Sequence, residues 1–349
     1  MKKLRVLILL CLLLPAMANA EDQAKEGGEP EKPEVLLESY EANKIGFTFD
    51  ENDVGYMDFT LSLKYPIVIS KNNVIDAKAK DPGFFTKYLL PVPYLAFTGR
   101  FGQYLLTRDS SPVIGKRFNP KVFLRFFKSN PQSSYLDIGY AHESNGQRIH
   151  SAGSYQDLRA DFASEGEDPE FANDYISRGW DYWEMHWFKR FNGEEDFSSE
   201  ISLKYFIEDG YLQGEMEEFN SWENSREGRQ RKEVDGIMVK LSFKKPTRDI
   251  PKPIRMVVKY IPEKFKKVIK YIPDFLYSLP IGYGGSSVIY TTGYKDAFSN
   301  NTIRGEVLLR FGDLPIQFWI SEGYNSDLID YYQRVRSSGF CLNLETSLL

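Results

Sequence analysis

From Ile45 onward the apolar residues of this chain recur at every second position in short runs, and that period constrains the fold more than any other feature. Ile45, Phe47 and Phe49 alternate with Gly46 and Thr48, and after the polar Glu51, Asn52 and Asp53 the run 56–65 resumes the same period. Successive side chains of an extended strand point to opposite faces, so each run builds a sheet with two unlike faces. Further runs lie at 96–106, 121–127, 135–143, 183–191, 201–206, 237–243, 287–292, 303–311, 316–322 and 335–344. The spacing predicts an all-β chain of about a dozen strands.

Residues 1–20 carry the marks of a secretory signal peptide: Lys2, Lys3 and Arg5, an apolar core at 6–14, and the small residues Ala18, Asn19 and Ala20 at a cleavage site. That core is too short to cross a bilayer. Residues 21–44, acidic and containing Gly and Pro, are expected to form an exposed N-terminal segment. Cys11 leaves with the signal and Cys341 has no partner, so neither an intrachain disulfide nor a CxxC metal or redox site is expected. Net charge is only −5 with 27% charged residues, which indicates neither a nucleic-acid binder nor a disordered chain. Phe and Tyr together number 47. An exported, aromatic-rich chain of short strands fits an outer-membrane barrel, whose interfaces favour aromatic rings, and composition alone fits a soluble all-β protein as well. There is no GxGxxG fingerprint and no Walker loop; Gly282, Gly284 and Gly285 read as a turn or strand bend. The Lys- and Pro-rich stretch 245–279 suits a strand pair, a short amphipathic helix at a membrane interface, or a solvated basic face.

Only His142, His150 and His186 are available for histidine chemistry. His142 and Ser144 stand two apart in a strand-like run, so both side chains leave the same face with their roots about 7 Å apart. In that arrangement His142 deprotonates Ser144 for attack on a carbonyl carbon and later protonates the leaving oxygen. Glu143 points the other way. Asp181, on the next strand-like run, supplies the carboxylate that fixes the imidazole tautomer if the two runs pair. Backbone N–H groups near Asn145 and Gly146 are candidate oxyanion donors. His150 reads as a surface residue and His186 as a packing or interface residue, and the absence of a G-x-S-x-G elbow disfavours a soluble α/β lipase.

The run Tyr140, Ala141, His142, Glu143, Ser144, Asn145, Gly146 and the later Ser177, Arg178, Gly179, Trp180, Asp181 resemble the two signature blocks of the outer membrane phospholipase A family. The likeness extends to 119–124 and 323–331 and so covers most of the mature chain. It implies a twelve-stranded antiparallel transmembrane β-barrel of the outer membrane over 45–349, with external loop insertion 147–176 and the second insertion at 245–279. By that resemblance Ser144 is the nucleophile, His142 the base, Gly146 an oxyanion donor, and Asp181 stands where the family has asparagine. A rival register with Gln156 as third residue lacks the Ser-Arg-x-Trp context. The resemblance further implies Ca²⁺ held by Ser177, the Gln147 carbonyl and Ser110 of the partner subunit, in a reversible homodimer. The activity implied is hydrolysis of sn-1 and sn-2 acyl esters of phospholipids and lysophospholipids at the outer leaflet. An inactive, porin-like barrel and a soluble periplasmic binding protein are the alternatives.

Overall fold

The computed structural model describes residues 37–51, 55–67, 91–105, 108–109, 111–127, 134–191, 196–215, 219, 222, 229–244, 247–250 and 281–344. Twelve long strands follow one another: β1 (Lys44–Asp50), β2 (Tyr56–Pro66), β3 (Val92–Gln103), β4 (Val113–Phe127), β5 (Ser134–Ser144), β6 (Gly179–Phe191), β7 (Asp196–Ile207), β8 (Gly236–Lys244), β9 (Ile281–Gly293), β10 (Asn301–Phe311), β11 (Leu314–Tyr324) and β12 (Arg334–Asn343). Each pairs antiparallel with its neighbour in sequence, and β12 pairs with β1 to close a twelve-stranded barrel without a free edge. Closure matters because an open edge would leave unpaired backbone groups in lipid. Thr247–Ile250 adds a short strand along β9; the rest of the 245–279 stretch lies outside the described residues, as do the signal segment and Ser110. β9 bends at Gly285, where its register with β10 shifts between Tyr283 and Gly285, as the glycine cluster predicts.

The faces are inverted relative to a soluble protein. On β5 the outward row is Leu136, Ile138, Tyr140, His142 and Ser144, and the inward row carries Asp137, Ala141 and the fully buried Glu143. Neighbouring strands show the same outward exposure of large apolar side chains, among them Val122, Leu124, Trp183, Met185 and Leu203. Charged groups fill the interior, where Arg125 grips Asp137 with two bonds of 2.7 Å and Lys121 pairs with Glu184. Exposed apolar rows around a polar interior are stable against lipid and not against water, which decides between the membrane barrel and the soluble all-β protein.

The connections after β5, β7 and β11 share one end of the barrel and pack into its mouth. Leu328, Tyr331 and Tyr332, after β11, and Val234, before β8, pack on the inward Trp180, Tyr182 and Phe206 in one buried cluster. Arg100 on β3 reaches across to Asp327 at 2.8 Å, and Lys116 on β4 reaches the same carboxylate at 3.0 Å. The mouth is therefore a packed core behind β5 and β6.

Two expectations change. Residues 38–43, the end of the segment expected to be exposed, enter the barrel: Tyr40 lies 5.3 Å from Phe123, and Glu41 meets Arg117 at 3.3 Å. The inward cations of β4 explain this, since they require counter-charges. The insertion 147–176 is also more than a loop, containing the helix Ala152–Glu165 and the 3-10 helix Pro169–Tyr175. Ser151 caps the first helix by accepting from the Ser154 N–H, and Gly166, at φ 82°, ends it in the left-handed region. Tyr155, Ala172 and Ile176 then dock with Ile149 on Ile329.

Candidate active site

β5 and β6 pair in a register that sets His142 opposite Asp181, and Ser144 opposite Gly179. Directly opposed residues share a face, so His142, Ser144 and Asp181 all leave the outside of the barrel. His142 Nδ1 lies 2.8 Å from Asp181 Oδ1. With the proton on Nδ1 donated to the carboxylate, Nε2 is free to accept a proton. Among the described residues no hydrogen bond joins the Ser144 hydroxyl to His142 in this conformation; the two sit on one face two residues apart, within reach of a side-chain rotation.

A carboxylate on an outward position would be costly in lipid if unpaired. Asp181 avoids that cost, being fully buried by the chain that follows β7. The short hairpin Asp209–Gly210 and Gly214–Glu215 turns back over β6, and the N–H groups of Leu212 and Gln213 donate to Asp181 Oδ2 at 2.7 and 2.9 Å. Gly210 is required there, because a side-chain carbon at that position would stand 2.0 Å from Oδ2. The Tyr140 hydroxyl contributes to the same carboxylate and accepts from the Tyr211 N–H at 2.9 Å.

Interior contacts hold the backbone beneath the site. Asn119 donates to the His142 carbonyl at 2.8 Å and to the Tyr182 hydroxyl at 2.9 Å. Glu143 takes Arg231 at 3.1 Å, with Lys204 at 3.7 Å and Arg117 at 3.9 Å around it. Asn145 ties the neck of the 147–176 excursion: its N–H donates to the Arg178 carbonyl at 3.1 Å, its Nδ2 to the Ile176 carbonyl at 2.7 Å, and its Oδ1 accepts from the Arg178 N–H at 2.9 Å. Gly146 follows with φ 67°, and a Cβ there would stand 2.7 Å from the Phe118 ring, so the position needs glycine on both counts. Sequence reasoning missed Asn119, Tyr140, the Asn145 side chain and the 209–215 turn. Asn145 lay inside the motif, but the turn carries no signal beyond its two glycines.

The other expected residues fall as follows. Gln156 lies in the exposed helix Ala152–Glu165, away from the β5–β6 pair. Gln147 and Ser177 share the neck, where the Ser177 N–H donates to the Ile149 carbonyl at 2.8 Å. The Ser177 hydroxyl and the Gln147 carbonyl are oxygen donors of the type a hard cation takes. Among the described residues no group of three or more His, Cys, Asp or Glu side chains could hold a metal. His186 faces inward, edge-on to Tyr135 at 5.7 Å, and His150 is exposed.

No family model matches the chain, and no curated protein matches it. Solved structures do. An active-site mutant of outer membrane phospholipase A from Escherichia coli superposes with a TM-score of 0.51 at 15% identity, over 90% of this chain and 94% of that one. The calcium-bound dimer of the Salmonella typhi outer membrane phospholipase superposes with a TM-score of 0.50 at 14% identity, over 89% of this chain and 94% of that one. The fold is that of outer membrane phospholipase A. Identity at this level speaks for the shared barrel, so the chemistry rests on what β5, β6 and the turn after β7 bring together on its outer surface.

Proposed function

We propose that this protein is a calcium-dependent phospholipase A of the outer membrane, exported by its first twenty residues, that hydrolyses sn-1 and sn-2 acyl esters of phospholipids and lysophospholipids. The observation that carries the reading is the His142–Asp181 pair at 2.8 Å on the lipid-facing side of the barrel, beside Ser144. A histidine–carboxylate pair with a serine is superfluous to a lipid-facing surface and is what acyl transfer requires. The site lies at the ends of β5 and β6 that carry the 145–178 excursion, and with that end turned outward it would stand at the level of the outer-leaflet ester groups.

In the reaction Ser144 Oγ attacks the ester carbonyl carbon while its proton passes to His142 Nε2. Asp181 accepts the hydrogen bond from Nδ1–H and stabilises the imidazolium. The glycerol oxygen leaves with the proton from Nε2, and water activated by the same nitrogen then releases the fatty acid. The Gly146 N–H is an oxyanion donor. Calcium bound by Ser177, the Gln147 carbonyl and Ser110 of the partner subunit would add positive charge near the developing oxyanion. A homodimer would complete that site.

The test is fatty-acid release from phospholipid by detergent-refolded mature protein with and without calcium, beside Ser144→Ala and Asp181→Ala. Calcium-dependent release lost in both variants supports the proposal. Absence of any Ser144-dependent release sinks it in favour of an inactive barrel.

A further inference from the structure

The turn that clamps Asp181 also delivers a side chain to Ser144. The Gln213 backbone N–H is anchored on Asp181 Oδ2 at 2.9 Å, and its side chain runs back over β6 to Gly179. A Cβ added at Gly179 would stand 2.4 Å from Gln213 Oε1 and 3.1 Å from its Cδ, so the carboxamide occupies the side-chain position that Gly179 leaves vacant. Gly179 is the residue paired with Ser144. Opposed residues in an antiparallel pair have side-chain roots about 4.5–5.5 Å apart, which puts the carboxamide within one ester group of the nucleophile. Among the described residues the carboxamide has no hydrogen-bond partner of its own; only the backbone of Gln213 is bonded.

Resting on the phospholipase reading, we infer that Gln213 is a catalytic residue that donates its carboxamide N–H to the substrate carbonyl oxygen as that oxygen becomes an oxyanion. Rotation about the bond to Cδ exchanges oxygen and nitrogen, so either end of the amide can face the ester. When Ser144 Oγ bonds to the carbonyl carbon, the π pair moves onto oxygen and the proton to His142. The Gly146 N–H and the Gln213 N–H then share the charge until the pair returns and the glycerol oxygen leaves. A donor fixed by its own backbone anchor loses little freedom as charge develops, which is the condition for effective oxyanion stabilisation. Gly179 is glycine because a side chain there would displace this amide.

The experiment compares refolded wild type with Gln213→Ala, Gln213→Glu and Gly179→Ala for kcat, KM, pH profile and labelling by a fluorophosphonate, whose phosphoryl oxygen takes the place of the oxyanion. Alanine keeps the backbone N–H on Asp181 and removes only the carboxamide. Expected for Gln213→Ala is a kcat lower by about 10²-fold, as for other single oxyanion donors, with KM and pH profile unchanged and labelling slowed in parallel. Gln213→Glu, an acceptor without N–H, falls at least as far. Gly179→Ala reproduces part of the loss, and adding it to Gln213→Ala lowers the rate no further. A kcat for Gln213→Ala within about threefold of wild type overturns the inference, as does a raised KM with kcat intact. A shifted pH profile, the result of loosening Asp181, overturns it too. Wild type without Ser144-dependent release overturns this inference and the phospholipase reading together, whereas an active wild type with an indifferent Gln213 overturns this one alone.

Discussion

The substitution Asp181→Asn makes the sharpest test of the site, because it installs the residue that the resemblance would favour and the local geometry opposes it. Asp181 accepts on both oxygens: Oδ1 from His142 Nδ1, and Oδ2 from the N–H groups of Leu212 and Gln213. Asparagine offers one oxygen and one NH2. With its oxygen toward the turn, the NH2 faces Nδ1 and forces the proton onto Nε2, a tautomer unable to take the Ser144 proton, which costs about 10⁴-fold in comparable triads. With its oxygen toward His142, the NH2 points at two backbone donors and leaves both N–H groups without an acceptor, at about 1–3 kcal/mol each. The unproductive orientation is therefore favoured by about 2 kcal/mol or more, which holds the productive fraction at about 3% or below. Fatty-acid release by refolded Asp181→Asn is expected to fall at least about 30-fold with KM little changed. Near wild-type release, in a preparation where Ser144→Ala is inactive, would refute the claim that the 209–215 turn dictates the charge state of this position.

Gly210→Ala drives a Cβ into Asp181 and is expected to lower kcat by about 10-fold or more through the lost N–H bonds, whereas Gly153→Ala, with nothing within 4 Å, leaves activity unchanged; equal activities refute the clamp. Arg231→Ala leaves the fully buried Glu143 without its 3.1 Å partner and is expected to destabilise the barrel by about 3–5 kcal/mol, read as a lower midpoint of heat-modifiable migration. Asn119→Ala removes the bonds to the His142 carbonyl and the Tyr182 hydroxyl, costing about 1–3 kcal/mol by the same readout, and an unchanged midpoint would show that those bonds brace nothing. Burial pushes the Asp327 carboxyl up, but Lys116 and Arg100 outweigh it and hold the group below the usual carboxylate range. A depressed folded value means its stabilisation is complete above about pH 4 and is lost as pH falls through the folded value; the wild-type melting temperature should drop below pH 4 more steeply than that of Asp327→Asn.

Period two marked all twelve strands, and the places where it stopped early are instructive. The sequence reading starts β4 at 121 and β6 at 183, whereas the strands begin at Val113 and Gly179. On β4 the lost part contains Lys116 and Arg117, inward cations whose counter-charges, Asp327 and Glu41, come from distant segments. A register shift between Arg100 and Phe101 on β3 breaks the alternation beside them. On β6 the lost part is the site itself: Gly179 and Asp181 occupy outward positions where Trp183, Met185 and Trp187 continue the apolar row. β5 fails in the same way, with Leu136 and Ile138 at one end of the outward row and His142 and Ser144 at the other. The motif was therefore legible as residue types, and its position outside the barrel as an interruption of the lipid-facing pattern. What makes the interruption tolerable was not legible, because the N–H donors of Leu212 and Gln213 lie about thirty residues from Asp181 and belong to backbone, whose direction no side-chain pattern encodes. Likewise the helix Ala152–Glu165 is polar on nearly every side and shows no amphipathic period, and only its docking through Tyr155 onto the loop after β11 fixes it. On a lipid-facing strand, then, sequence marks where polar chemistry sits, and tertiary contacts from the next loop determine whether that chemistry can be charged.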